Sequence, residues 1–220
     1  MARRSGGRKR GASFAKRLVI MAKSPDMGRV KRRLAGEIGE SAAIRFYRGC
    51  LSHTLLRLAR DPRWLTVLAV DQGRGRARRF SPFGKRLTLL PQGEGDLGAR
   101  MQRLFTRLPP GPVVIVGTDI PSVRPGHIAE AFRLVGGADA VMGAAPDGGY
   151  WLVGLKRTPR VPAPFAGVRW SGPHALADTL ANLKDKRVAM AARLSDVDTA
   201  EDLRRESARS GRLISTITTL

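Results

Sequence analysis

One cysteine, Cys50, stands in 220 residues, so no disulfide can close within the chain and no cysteine-based zinc cluster can form. A lone cysteine in a helical apolar run reads as core packing. The histidines His53, His127 and His174 share no metal-ligand spacing. Aromatics amount to only 5%. That is too few for the stacking platforms of a single-strand nucleic-acid binder. It leaves a core made mainly of Ala, Val, Leu and Ile, as suits buried parallel strands with helices on both faces. No apolar run approaches the length of a membrane span. The run Leu18-Val19-Ile20-Met21-Ala22 behind Arg3-Arg4 is too short for an export signal, and Lys23 interrupts it. A cytoplasmic protein is expected.

Acid is scarce too. Asp and Glu number 18 against 40 Lys and Arg, for a net charge of +22. A field of that sign attracts polyanions: nucleotides, phosphosugars, nucleic acid or anionic lipid. Arg3, Arg4, Arg8, Lys9, Arg10 and Lys16 lie in the first 16 residues, which hold no acid. These read as a flexible basic tail, and residues 17–220 as one domain without linker or repeat. The hydrophobic fraction, 42%, is enough for one core of this size.

Periodicity divides that domain into alternating strands and helices. Apolar runs at 18–22, 65–70, 87–90 and 112–116 read as buried strands, the last as the central one. Ala43, Phe46, Tyr47, Cys50, Leu51, Leu55 and Leu58 step by three and four, an amphipathic helix over 42–60 that Asp61-Pro62 ends. A second helix begins near Asp96, and a third follows Pro125. Strands at 139–145 and 150–155 flank the turn Asp147-Gly148-Gly149 and are expected to pair antiparallel. A helix over 173–183, a strand near 188–191 and a helix from Ala200 complete the chain. Residues 23–34 and the Gly/Arg/Lys-rich 72–86 read as loops. The order is α/β with crossovers.

Chemistry concentrates where strands end, because open α/β sheets bind ligands beyond their carboxyl ends. The loop after the first strand holds Lys23, Gly28, Arg29, Lys31, Arg32 and Arg33, fixed positive charge that can wrap phosphates. After the central strand comes Gly117-Thr118-Asp119-Ile120-Pro121. An acid at that place is costly unless paired or metal-bound, so Asp119 is the leading candidate ligand for Mg²⁺ or Mn²⁺. Asp147-Gly148-Gly149-Tyr150 fits a hairpin turn and equally a backbone approach for substrate, with Asp147 and Tyr150 pointing at it. In Asp196-Val197-Asp198-Thr199-Ala200-Glu201-Asp202, either Asp198 with Glu201 or Thr199 with Asp202 can form a capping box. Capping explains one acid but not Asp196 and Asp198 together, so a second metal carboxylate is expected here. Ser171, after Trp170, is a cap or a polar substrate contact.

Together these stretches resemble a bacterial family within the GT-A-like nucleotide-diphospho-sugar transferase superfamily. The matching residues are Lys23-x-Pro25-x-x-Gly28-x-Val30-Lys31-x-Arg33-Leu34, Gln92-Gly93-x-Gly95-Asp96-Leu97-Gly98-x-Arg100-Met101 and Gly117-Thr118-Asp119-x-Pro121. Asp147-Gly148-Gly149-Tyr150, Trp170-Ser171 and Asp196-Val197-Asp198-Thr199-x-x-Asp202-Leu203 continue the match. The family is itself similar to molybdenum-cofactor and phospholactate guanylyltransferases. The resemblance implies a three-layer α/β/α sandwich around a mostly parallel, Rossmann-like sheet with one antiparallel strand. It implies that Lys23, Gly28, Lys31 and Arg33 hold nucleotide phosphates, and that the Gln92–Arg100 segment, with Asp96, lies near base or sugar. Gly148, Gly149, Tyr150 and Ser171 would contact substrate, and Asp119 and Asp198 would hold Mg²⁺ or Mn²⁺. The family usually has Thr where Arg32 and Gly172 stand here.

The expected activity is metal-assisted transfer from a nucleotide or nucleotide-sugar donor to a small-molecule acceptor, with Asp119, Asp147 and Lys31 as the catalytic set. Glycosyl transfer and nucleotidyl transfer to a phosphorylated small molecule need the same metal and the same basic loop, and both remain open at the level of sequence. A nucleic-acid-binding role without catalysis is the third alternative. It has the charge in its favour and lacks any RRM, zinc-finger or helix-turn-helix signature.

Overall fold

The computed structural model describes residues 14–26, 30–71, 87–158 and 160–219. The chain runs β1 (Arg17–Ala22), α1 (Arg32–Ile38), α2 (Glu40–Leu58), β2 (Leu65–Val70), β3 (Leu87–Pro91), α3 (Leu97–Arg107) and β4 (Val113–Val116). It continues with α4 (Pro125–Gly137), β5 (Ala140–Ala144), β6 (Tyr150–Leu155), α5 (Ala175–Ala181), β7 (Val188–Met190) and α6 (Ala200–Thr219). The strands form one seven-stranded sheet in the order β3-β2-β1-β4-β6-β5-β7. β4 is central, as its run of four buried residues predicts.

All strands run one way except β6, which lies antiparallel to both β4 and β5. The expected α/β/α sandwich with one antiparallel strand is therefore what the chain forms. Alternation along each strand builds the layers, since successive side chains leave opposite faces. Leu18 and Ile20 of β1 face α2 and α4, meeting Tyr47, Leu51, Leu55, Ile128 and Phe132. Val19, between them, faces α3 with Met101, Leu104 and Phe105. A third cluster joins Leu34 of α1, Phe46 and Cys50 of α2, Ile214 of α6, and Val197 from the segment that precedes α6.

Helix α1 departs from the sequence expectation of a loop over residues 23–34. Its seven residues bury only Leu34. So short a helix carries no apolar stripe to read, and α2 and α6, packed beside it, stabilise it more than its own propensity does. The basic tail expected over 1–16 falls on residues of which only 14–16 are described, and the stretch 72–86 and Gly28 lie outside the described residues. Among the described residues no helix is long and apolar enough to cross a membrane.

Candidate active site

Because β6 runs backwards, its first residue lies at the same sheet edge as the last residues of the parallel strands. Lys23 after β1, Gln92 after β3, Asp119 after β4, Asp147 after β5, Asp196 after β7 and Tyr150 at the start of β6 thus converge on one edge. They line a single cavity of about 650 Å³, within the usual range for small-ligand sites.

At its centre Lys31 Nζ donates to Asp119 Oδ2 at 2.9 Å and to Asp198 Oδ1 at 2.6 Å. The Lys31 side chain is only 4% exposed, against 34% for Asp119 and 46% for Asp198. Burial disfavours the ammonium, but the two carboxylates more than offset it and hold its pKa above the ordinary lysine value. Burial likewise disfavours the Asp119 carboxylate, and Lys31 outweighs burial to hold its pKa low. Lys31 sits at φ 48°, ψ 45°, the left-handed region that costs a side-chain-bearing residue about 1–2 kcal/mol. Gly117 leaves room for the acid: a Cβ there would stand 2.9 Å from Asp119 Oδ1.

The Asp196–Asp198 segment reaches Asp119 through the backbone, Val197 N–H donating to the Asp119 carbonyl at 3.1 Å. Val197 is buried, and the acids on either side of it line the cavity. Asp119, Asp196 and Asp198 each offer a carboxylate oxygen, all within 4.8 Å of one another. Three hard oxygen donors at that spacing suit Mg²⁺ or Mn²⁺. Burial, then the nearby Asp119, Asp198 and Asp147, push the Asp196 carboxyl up to about 7, so the cluster is short of positive charge even with Lys31 present. Asp196 is the ligand candidate that spacing could not separate from Asp198. The capping alternatives resolve to Thr199 with Asp202: Asp202 Oδ2 accepts from Thr199 N–H at 2.9 Å, and Thr199 Oγ1 accepts from Asp202 N–H at 3.2 Å.

Lys23, Arg32, Arg33 and Arg100 line the same cavity, as do Asp96, Asp147, Gly149, Tyr150 and Ser171. Three of the expected substrate contacts have other duties. The Gln92 amide donates to the carbonyls of Ala22 and Ala69 at 3.0 and 2.9 Å and ties the ends of β1 and β2 together. Asp96 caps α3, accepting from Ala99 N–H at 2.7 Å. Gly148, at φ +83°, is not among the lining residues, and a Cβ there would meet the Pro173 carbonyl at 2.3 Å. It is glycine for close packing against Pro173. Asp147 accepts from Gly149 N–H at 2.9 Å and so shapes its own turn. The Tyr150 hydroxyl reaches Thr179 Oγ1 at 3.4 Å, and its ring meets Trp170 edge-on.

Tyr47 is the site residue that sequence reasoning missed. It lies on the inner stripe of α2, where a tyrosine reads as core. Its hydroxyl accepts from Lys23 N–H at 2.8 Å and donates to Lys23 C=O at 2.9 Å, fixing the peptide that leaves β1.

Solved structures share this architecture. A protein from Desulfovibrio desulfuricans G20, provisionally named a nucleotide-diphospho-sugar transferase, is 25% identical with a TM-score of 0.80, over 93% of this chain and 98% of that one. A 4-diphosphocytidyl-2C-methyl-D-erythritol synthase from Anaerococcus prevotii is 12% identical, TM-score 0.60, over 91% and 97%. A cytidylyltransferase from Leptospira borgpetersenii is 13% identical, TM-score 0.58, over 94% and 93%. No curated protein matches the sequence. The family model for DUF2064, described as an uncharacterized protein conserved in bacteria, covers residues 54–172, more than half of the chain, and the chain belongs to that family.

Proposed function

We propose that this protein is a divalent-metal-dependent transferase with a nucleotide-activated donor, and that it transfers a glycosyl group from a nucleotide-diphospho-sugar. The observation that carries the reading is how charge divides around the cavity. Lys23, Lys31, Arg32, Arg33 and Arg100 come from the β1–α1 segment and α3. The lining from β5 onward contributes Asp147, Asp196, Asp198, Tyr150, Trp170 and Ser171, and no Lys or Arg among the described residues. A diphosphate finds its cations on the first side. On that second side Asp147 lies outside the trio able to share a metal, with no Lys or Arg of its own half of the lining to offset it, so a phosphorylated acceptor would meet a repelling carboxylate, whereas a neutral polyhydroxyl acceptor would not.

Asp119 and Asp198, joined by Asp196, would hold Mg²⁺ or Mn²⁺, which supplies charge neutralisation for the leaving diphosphate. Lys23, Arg32 and Arg33 bind the phosphoryl oxygens and stabilise the charge that grows on them. Asp147 lies on the acceptor side, where a carboxylate can take the proton of an attacking hydroxyl. Tyr150 and Trp170 wall the acceptor in. The fold shared with the Leptospira borgpetersenii cytidylyltransferase suggests a second reading, nucleotidyl transfer with pyrophosphate as leaving group.

The test is a panel of nucleotide sugars and nucleoside triphosphates, each with and without Mg²⁺ or Mn²⁺, read first by melting temperature. A metal-dependent shift with one nucleotide sugar, followed by release of nucleoside diphosphate, supports glycosyl transfer. Pyrophosphate release from a triphosphate moves the reading to nucleotidyl transfer. Equal shifts with any polyanion, indifferent to metal, would sink both and leave nucleic-acid binding.

A further inference from the structure

Lys31 places its ammonium on two of the three acids that the reading above assigns to the divalent cation. Its Nζ donates to Asp119 Oδ2 and Asp198 Oδ1, on two of the three acids able to share an ion. The side chain is 4% exposed, so the contact is built in rather than a passing surface pair. With all three carboxylates ionised, one ammonium would leave the cluster at −2 and a divalent ion in its place would leave it at −1, so the trio can accept more positive charge than Lys31 supplies. Lys31 also lies beside Arg32 and Arg33, which line the same cavity, so an ammonium that leaves the acids has a phosphate subsite to go to.

We propose that Lys31 is a resident counter-ion: without metal its ammonium bridges Asp119 and Asp198, and metal entry turns it out towards the donor's phosphates. The inference rests on the metal-dependent reading above. Two consequences follow. Lys31 holds the acid cluster together in the empty protein, and it contributes to phosphate binding only once metal is present. Metal binding and phosphate binding by Lys31 are thereby coupled through one side chain.

The experiment uses the full chain, stripped of metal, as wild type and as Lys31→Met. Mn²⁺ alone is titrated and followed by electron paramagnetic resonance, and pyrophosphate is titrated with and without Mg²⁺. Lys31→Met is expected to melt lower than wild type without metal and to bind Mn²⁺ on the order of tenfold tighter, because no ammonium competes. It should match wild type for pyrophosphate without Mg²⁺ and bind it on the order of tenfold more weakly with Mg²⁺. Mn²⁺ affinity that is unchanged or weaker in the variant overturns the counter-ion role while leaving the metal site intact. A wild type that binds no Mn²⁺, with or without pyrophosphate, overturns the metal-dependent reading itself. Should the variant fail to fold, acetic anhydride labelling of wild type gives the same decision: Lys31 modification rises when Mg²⁺ is added, and constant modification overturns the proposal.

Discussion

The backbone N–H of Val197 donates to the carbonyl of Asp119 at 3.1 Å, and this one bond joins the two acidic motifs. It couples the end of the central strand to the segment that leads into α6. The buried Val197 side chain anchors the joint in the cluster of Leu34, Phe46, Cys50 and Ile214. The acids around Val197 therefore owe their position to an apolar residue.

Asp202 holds the other end of that segment, accepting from Asp198 N–H at 3.1 Å, Thr199 N–H at 2.9 Å and the Thr199 hydroxyl at 2.7 Å. Asp202→Ala removes the side-chain half of the capping box of α6, leaves Thr199 as its N-cap, and is expected to cost about 1 kcal/mol of stability. It should also weaken metal binding by about 10–100-fold, although Asp202 is not among the proposed ligands. Urea unfolding and Mn²⁺ titration measure the two effects separately. A loss of stability with unchanged Mn²⁺ affinity would mean that Asp198 does not depend on this cap.

Tyr47→Phe keeps the ring in the core and removes only the hydroxyl that pairs with both the N–H and the C=O of Lys23. Leaving those groups unmade is expected to cost about 1–3 kcal/mol. Donor affinity should fall, since the residue carrying one of the phosphate cations loses its anchor, and acceptor KM should stay the same. Equal losses for donor and acceptor would place the effect in general unfolding.

Gly148→Ala tests whether this glycine packs or binds. Its φ of +83° and the 2.3 Å approach to the Pro173 carbonyl predict strain, on the order of 2 kcal/mol or more. Melting temperature should drop, with KM for the donor unchanged in the molecules that remain folded. A stable variant with a raised donor KM would return Gly148 to the binding surface.

Glu206 of α6 is 4% exposed, and its Oε1 has no partner among the described residues. Burial raises its pKa, against the pull of Arg209. A carboxyl raised in the folded state contributes stability below its unfolded pKa and loses it as pH climbs through the folded value. Glu206→Gln is therefore expected to melt higher than wild type at pH 7.5, with the difference vanishing towards pH 4. Melting curves across that range decide it; a variant less stable at every pH would mean that the carboxylate has a partner.

Much of the fold was legible because strands and helices announce themselves locally. The alternation that sends Leu18 and Ile20 to one face and Val19 to the other is a property of the chain's own period. The steps from Ala43 to Leu58 wrote α2, and Asp147-Gly148-Gly149 wrote the turn that makes β6 antiparallel. Asp119 stood out because an acid at the end of so apolar a strand needs a partner. By itself, then, the sequence determined the elements other than α1, their order, the antiparallel pair and the edge at which the polar residues gather.

Tertiary structure decided what those residues do to one another. Helix α1 is visible only with α2 and α6 beside it. Tyr47 reads as core until its hydroxyl is seen on Lys23, and no spacing foretells that the Gln92 amide ties two strand ends or that Pro173 packs against Gly148. Asp196 and Asp198 could not be told apart from Asp119's side of the sequence, because their positions depend on where Val197 is buried. The bridge from Lys31 to Asp119 and Asp198 spans 88 and 167 positions. Local pattern fixes a residue's direction within its own element, but distances across the sheet edge arise only when separate elements pack, and no spacing along the chain encodes them.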